Sequence, residues 1–269
     1  MCMGKTKQPF PHYGSKVRYQ NFIQPKLPQT KRFIAPYGGS GTILLNREPT
    51  ELEVLNDINN NIYIFFKVLQ NKSDELIERL EKTPYHEREF QQAQKILANK
   101  EGCEKVEIAH AFFVTKVMSY NAQADTFCYS TKQSRRGMSQ HVSRFQGKVD
   151  ALDEVAERLR RIQFMNRDAV DVITRFDKED TLQHLDPPYP LWIREGSFYE
   201  NEMAREDHRE MLETVNTVDC KIAISTYKND FYDNVLNEEW DVHLDDPKGT
   251  GATNSGATKT ESLYVNYEI

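Results

Sequence analysis

A short apolar run that ends on two prolines constrains this chain more than any other feature: residues 181–185, then Asp186-Pro187-Pro188-Tyr189. The run reads as a buried strand. Proline fixes φ near −65° and has no N–H, so no strand or helix continues through the pair. The residue before a proline is itself held extended. Asp186 is therefore expected at the carboxyl end of a strand with its carboxylate outward. Pro187 and Pro188 contribute carbonyl acceptors only, and Tyr189 adds a flat ring. Rigid acceptors beside a ring suit a planar substrate carrying an exocyclic amino group. That amine is a poor nucleophile because its lone pair is delocalised into the ring. Two acceptors taking one N–H each would localise the pair on nitrogen, which is catalysis by position and electrostatics, without a covalent intermediate. Taken alone, the same four residues also make an ordinary turn in which Asp186 merely caps.

Two further strand ends carry candidate chemistry. Residues 31–35 read as a strand running into Pro36-Tyr37-Gly38-Gly39-Ser40-Gly41 and a helical start at 42–45. Strand, glycine-rich turn and helix is the layout of a nucleotide-binding crossover, although the spacing is not G-x-G-x-x-G. Residues 51–55 read as a second strand, ending in Asn56-Asp57-Ile58-Asn59 before a helix with Ile62, Phe65, Phe66, Val68 and Leu69 on its apolar positions. An acid at that strand end accepts ribose hydroxyls. The alternative is helix capping, for which both Asp57 and Asn59 are suited. Residues 162–165 read as another strand, followed by Asp168-Ala169 and a helix over 170–175. Asp168 is thus a third carboxylate at a strand's carboxyl end, where open α/β sheets bind ligands.

Charge is segregated. The net charge is −6, yet residues 1–47 hold eight Lys or Arg and no acid, and residues 126–149 hold five and no acid. Such a distribution sets basic faces on an acidic body, as phosphate contact requires. The second run includes Lys132, Arg135, Arg136, Arg144 and Lys148, with Phe127, Tyr129 and Phe145 interleaved. Phe127 and Tyr129 alternate with Cys128 as in a strand, and Ser134-Arg135-Arg136-Gly137 suits a hairpin tip. The reading is a DNA-contacting hairpin and loop, against a plain solvated loop.

Elsewhere a helix is expected over 17–24, before the breakers Pro25 and Pro28. Residues 71–122 read as three helical segments whose aromatics are core. Amphipathic helices are expected over 149–161 and 203–215, the latter turning His208 inward, as a core histidine or a proton carrier. Residues 220–225, 240–244 and 262–267 read as the last strands. Residues 247–260, rich in Gly, Thr, Asn and Ser, read as a mobile loop. No apolar run reaches the ~18 residues of a membrane span. Residues 1–10 are polar and basic, unlike a secretory signal. The four cysteines (Cys2, Cys103, Cys128, Cys220) and seven histidines show no zinc spacing. Free thiols and a cytoplasmic location are the expectation.

These pieces, in this order, resemble the Dam-type (alpha group) N6-adenine DNA methyltransferases. The resemblance rests on His12-Tyr13-Gly14-Ser15-Lys16, Pro36 to Gly41, Asn56-Asp57-Ile58-Asn59, Asp186-Pro187-Pro188-Tyr189 and the final Glu261 to Tyr267. It implies an α/β fold: a Rossmann-like, S-adenosyl-L-methionine-dependent methyltransferase sheet over 1–70 and 160–269, with a target-recognition insertion of helices and a β-hairpin over 71–159. It implies no metal, and double-stranded DNA as substrate. The donor would be contacted by His12, Tyr13, Gly14 and Lys16. Pro36, Tyr37, Gly38, Gly39 and Gly41 would wrap its methionine end. Asp57 with Ile58 would hold its ribose, and Asp168 with Ala169 its adenine. Asp186 and the Pro187 carbonyl would take the target's amino hydrogens beside Pro188, and Tyr189 would stack on a flipped-out adenine. Ala35 and Ser15 depart from the family, which usually has an acid and a glycine there. Rival readings are methylation of cytosine N4, RNA adenine or a glutamine amide, and a non-catalytic DNA-binding relative. The glutamine enzymes typically carry Asn where Asp186 stands.

Overall fold

The protein is represented by a computed structural model, which describes residues 7–194, 196, 199–245 and 260–269. In chain order the elements are α1 (Gln20–Ile23), β1 (Arg32–Ala35), α2 (Thr42–Leu45), β2 (Leu52–Asn56), α3 (Asn60–Asn71), α4 (Ser73–Glu81), α5 (Glu87–Ala98) and α6 (Lys105–Met118). A hairpin of β3 (Ser134–Arg135) and β4 (Met138–Ser139) leads into α7 (Gln140–Val149), α8 (Leu152–Leu159), β5 (Ile162–Met165), α9 (Ala169–Arg175) and β6 (Thr181–Leu185). The chain closes with α10 (Arg205–Val215), β7 (Lys221–Tyr227), α11 (Asp230–Val235), β8 (Asp241–Leu244) and β9 (Glu261–Val265).

The main sheet has the order β5-β2-β1-β6-β7-β9-β8. β2, β1, β6 and β7 are parallel neighbours, while β9 runs antiparallel to β7 and β8. From β1 the chain moves to β2 on one side and later returns through β6 on the other. The strand order therefore reverses between β1 and β6, and such a reversal opens a crevice at the carboxyl ends of the two strands. The mostly parallel sheet is the Rossmann-like α/β arrangement expected from the sequence.

The chain divides into two compact units. The first comprises residues 18–38, 47–58 and 167–269. All five residues of β6 are buried, as are five consecutive residues of β7. Burial on both faces extends to the polar residues Thr181, Gln183, His184, Ser225 and Thr226; His184 Nε2 and Ser225 Oγ lie 2.9 Å apart, and the Gln183 amide donates to the Ile173 carbonyl at 2.8 Å. Leu185, Ile222, Ile224, Met211, Leu212, Val215 and Tyr232 form the core of this unit. His208 is buried there, its Nδ1 lying 2.9 Å from the Tyr232 hydroxyl, so it is the core histidine of the two readings.

The second unit comprises residues 1–17, 39–46 and 59–166. It therefore takes in α3 and β5 as well as residues 71–159. Its centre is α6, apolar almost all round and buried over eleven of its fourteen residues, as a core helix must be. Phe10 packs edge-on against Phe65 and Phe112 at 5.1 and 4.9 Å.

Several local expectations need correction. The helix expected over 17–24 is only α1 and a 3-10 turn over Gln24–Lys26. The helix after the glycine-rich turn is a single turn, α2, too short to contribute much of a dipole. Residues 127–129 form no strand: Phe127 makes one isolated bridge to Ser119 and packs on Tyr85 and Phe90. Residues 140–149, taken as polar loop, form α7, whose Ser143, Phe145 and Val149 are buried. Residues 230–235 form α11, which the sequence reading left unassigned. The expected mobile loop over 247–260 lies, apart from Thr260, outside the described residues, as do residues 1–6.

Candidate active site

In the first unit, parallel pairing of β1, β2 and β6 brings the carboxyl ends of these strands to one edge of the sheet. Pro36, Tyr37 and Gly38 leave β1 there, Asp57 and Ile58 leave β2, and Asp186 leaves β6. Gly38 is fixed by close approach. Its N–H donates to the Asn56 carbonyl at 2.7 Å, and a Cβ on it would meet that oxygen at 2.7 Å and the Leu55 side chain at 2.6 Å. No other residue fits without displacing β2.

Asn56, the buried last residue of β2, ties this edge together. Its side-chain amide donates to the carbonyls of Pro36 (2.8 Å) and Arg167 (3.0 Å), and its Oδ1 accepts from the Arg167 N–H at 2.9 Å. One side chain thereby spaces the residues that precede Tyr37, Asp57 and Asp168.

Asn59 caps α3, its Oδ1 accepting from the N–H groups of Asn61 (2.9 Å) and Ile62 (3.4 Å). Ile58, beside Asp57, is 54% exposed, an apolar side chain with one face open. Asp168 does act as a cap: its Oδ1 accepts from the Val170 N–H at 2.8 Å, and Ala169 is the buried first residue of α9. Tyr37 is held protonated well above the usual phenol range, first by burial and then by the charge of Asp168.

The Asp-Pro-Pro-Tyr turn continues directly from β6. Asp186 is half-buried, between buried Leu185 and buried Pro187. The Tyr189 ring is only 6% exposed and meets Tyr227 edge-on at 4.7 Å. Its hydroxyl donates to buried Glu261 at 2.5 Å. Burial first, and then the charges of Glu261 and Asp186, keep the phenol protonated. The loop beyond is pinned by Arg194, whose Nε donates to the Tyr189 carbonyl at 2.6 Å and whose guanidinium pairs with Glu202. Sequence reading missed three residues here: Asn56, Glu261 and Arg194. Glu261 left a signal, a carboxylate opening an otherwise buried terminal strand; Arg194 left none.

The second unit holds His12, Tyr13, Gly14, Lys16, Gly39 and Gly41. The His12 ring lies against Gly39, where a Cβ would come within 3.0 Å of its Cδ2. His12 is neutral at pH 7, its pKa lowered to about 3 by burial and then by Lys116 and Lys16. Buried Lys16 donates to the Gly14 carbonyl at 2.9 Å. Gly14 takes the left-handed conformation (φ 75°), whereas Ser15 does not. Serine at 15 therefore carries no backbone strain, and its hydroxyl lies 3.1 Å from that of Thr42.

The basic residues also sort themselves. Lys132, Arg135 and Arg136 are exposed, and Arg136 and Gly137 (φ 56° and 74°) form the two-residue tip of the β3–β4 hairpin. The Arg144 guanidinium donates to the Val117 carbonyl at 2.6 Å, and the Lys148 ammonium to Gln8 at 2.5 Å. Both cations thus also have structural contacts within α7's surroundings.

A mostly parallel sheet whose order reverses beside an Asp-Pro-Pro-Tyr turn is the Rossmann-like arrangement found in methyltransferases. The model of the D12 class N6 adenine-specific DNA methyltransferases matches residues 12–247, and the chain belongs to that family. No curated protein matches it. Among solved structures it is similar to TrmN from Thermus thermophilus, with 12% identity and a TM-score of 0.39. That likeness covers 92% of this chain but 46% of TrmN, so the chain spans about half the length of that relative. It is also similar to the putative methyltransferase yhhF from Escherichia coli, with 11% identity and a TM-score of 0.39 over 97% of this chain and 92% of that one.

Proposed function

We propose that this methyltransferase transfers a methyl group from S-adenosylmethionine to the N6 amine of an adenine flipped out of double-stranded DNA. The observation that carries the reading is the position of Asp186-Pro187-Pro188-Tyr189 on β6, across the order reversal from Tyr37-Gly38 on β1. The residues present fit the donor: Asp57 follows the last residue of β2, exposed Ile58 lies beside it, and Gly38 lets the backbone come close. The donor, when bound, supplies a methyl on a positively charged sulfur. Asp57 would accept from its ribose hydroxyls, Ile58 would cover one face of its adenine, and Asp168 with Ala169 would meet the adenine amine. For His12, Tyr13, Gly14, Lys16, Gly39 and Gly41 the resemblance alone supports donor contact, which donor titration of Lys16→Met tests.

At the target, the Asp186 carboxylate and the Pro187 carbonyl each accept one amine hydrogen, freeing the nitrogen lone pair. Once methylated, that nitrogen would have one proton to lose, and Asp186 would pass it to water. Tyr189 contributes whatever ring face the flipped base can reach, held in orientation by Glu261. Residues 71–159 would act as the target-recognition insertion, with Lys132, Arg135 and Arg136 contacting DNA and Arg144 and Lys148 supporting them. Exposed cations at a hairpin tip suit phosphate and guanine contacts. Base-resolved detection of methyladenine in DNA from cells making this protein tests the reading. Methyladenine at one recurrent sequence supports it; unmodified DNA, or methylcytosine, overturns it.

A further inference from the structure

A cavity of about 690 Å³ lies in the first unit, outside the turn itself. Its volume falls within the roughly 300–1,000 Å³ of small-ligand sites. It is walled by Trp192, Arg205, Arg209, Lys228, Asp230 and Phe231. Trp192 follows Tyr189 by three residues, and Lys228 follows Tyr227 directly, so two walls extend from the Tyr189–Tyr227 contact. Both segments leave the carboxyl ends of parallel strands, β6 and β7.

The wall combines flat rings with cations. Trp192 is 40% exposed. The Arg205 guanidinium lies 5.3 Å from the Trp192 ring and 4.7 Å from Phe231. Arg209 lies 5.3 Å from Phe231 and makes a long, exposed contact with Glu213 at 3.9 Å. Lys228 is paired with Asp233. Among the described residues, Arg205 is held by rings and not by a carboxylate. A guanidinium stacked on a ring keeps its in-plane N–H donors for a phosphate, and an exposed indole is a stacking surface for any base.

We propose that this cavity holds one nucleotide of the substrate DNA other than the target, its base against Trp192 and its phosphate on Arg205 and Arg209. The proposal rests on DNA being the substrate. It would make the protein grip the DNA near the base being modified, on the catalytic unit itself.

The chain has two tryptophans, so Trp240→Phe leaves Trp192 as the sole indole reporter. A short duplex oligonucleotide should quench Trp192 emission in this variant. Arg205→Gln with Arg209→Gln should weaken DNA binding several-fold and flatten the slope of log K against log salt by about 1, roughly one phosphate contact. Donor affinity, read by calorimetry, should not change. An unchanged salt slope together with no Trp192 quenching overturns the proposal. Quenching by dAMP at the same concentrations as by the oligonucleotide also overturns it, assigning the cavity to a free nucleotide. If the unsubstituted protein binds no DNA, the functional reading itself fails. If Arg135→Ala with Arg136→Ala lowers the slope while the Arg205 and Arg209 pair does not, the cavity proposal alone falls.

Discussion

Asn56 and Arg167 exchange hydrogen bonds in both directions: the Asn56 amide donates to the Arg167 carbonyl at 3.0 Å, and its Oδ1 accepts from the Arg167 N–H at 2.9 Å. With its further bond to the Pro36 carbonyl, this side chain spaces the β1 end, the β2 end and the residue before Asp168. Asn56→Ala would leave buried backbone groups without partners, at about 1–3 kcal/mol for each group left unsatisfied. The expected result is a lower denaturation midpoint together with weaker donor binding. Asn56→Asp should be no milder, since a carboxylate cannot donate to two carbonyls. A fall in stability with donor affinity intact would show Asn56 to be structural only.

Asp57 and Asn59 sit two residues apart and should behave in opposite ways. Asp57→Ala should weaken donor binding by about tenfold or more, equivalent to at least 1.4 kcal/mol, while leaving the unfolding midpoint nearly unchanged. Asn59→Ala removes the cap of α3 and should lower stability by about 1 kcal/mol. Calorimetry on both variants, with denaturant titration, separates the roles; equal effects would merge them.

Acid should destabilise the fold through its buried histidines. His110 and His208 both have pKa values lowered from 6.5 to about 4, first by burial. Below pH 6.5 the unfolded chain takes up protons that the folded chain refuses, so this contribution is intact above pH 6.5. It falls as pH drops towards 4, by about 1.4 kcal/mol per pH unit for each group. Urea midpoints at pH 7, 6 and 5 measure the decline. His208→Gln should flatten it, and a slope identical to the parent would refute the assignment.

The Tyr189 hydroxyl and buried Glu261 form a pair inside the first unit. Tyr189→Phe keeps the ring and removes the donor, and should cost about 1–3 kcal/mol of stability. Glu261→Gln keeps an acceptor and should cost less. If the pair orients the ring for a base, both variants should raise KM for DNA while leaving donor affinity unchanged. A change in stability alone would restrict the pair to holding β9 against the turn.

The sheet was legible chiefly because its strands are short and end in residues with few conformational options. Leu185 to Pro188 could end only one way, and Ala35 to Gly38 nearly so. Asp57 was ambiguous in sequence because acids both cap helices and bind ribose. The α7 helix was missed because Gly147 and a polar surface mask the apolar spacing of Phe145 and Val149. Asn56, Arg194 and Glu261 act through partners distant in sequence or through backbone carbonyls, which no local pattern reveals. The cavity beside Trp192 belongs to the same class, assembled from the segment after β6, the start of α10 and the segment from Lys228 into α11.

The most direct test compares the protein with its Asp186→Ala variant, each incubated with duplex DNA and methyl-labelled S-adenosylmethionine, with the DNA then digested and its nucleosides resolved by mass spectrometry. The expected result is labelled N6-methyladenine from the parent and none from the variant, with donor binding the same in both. Label on adenine from the Asp186→Ala protein at the parental rate would contradict the account.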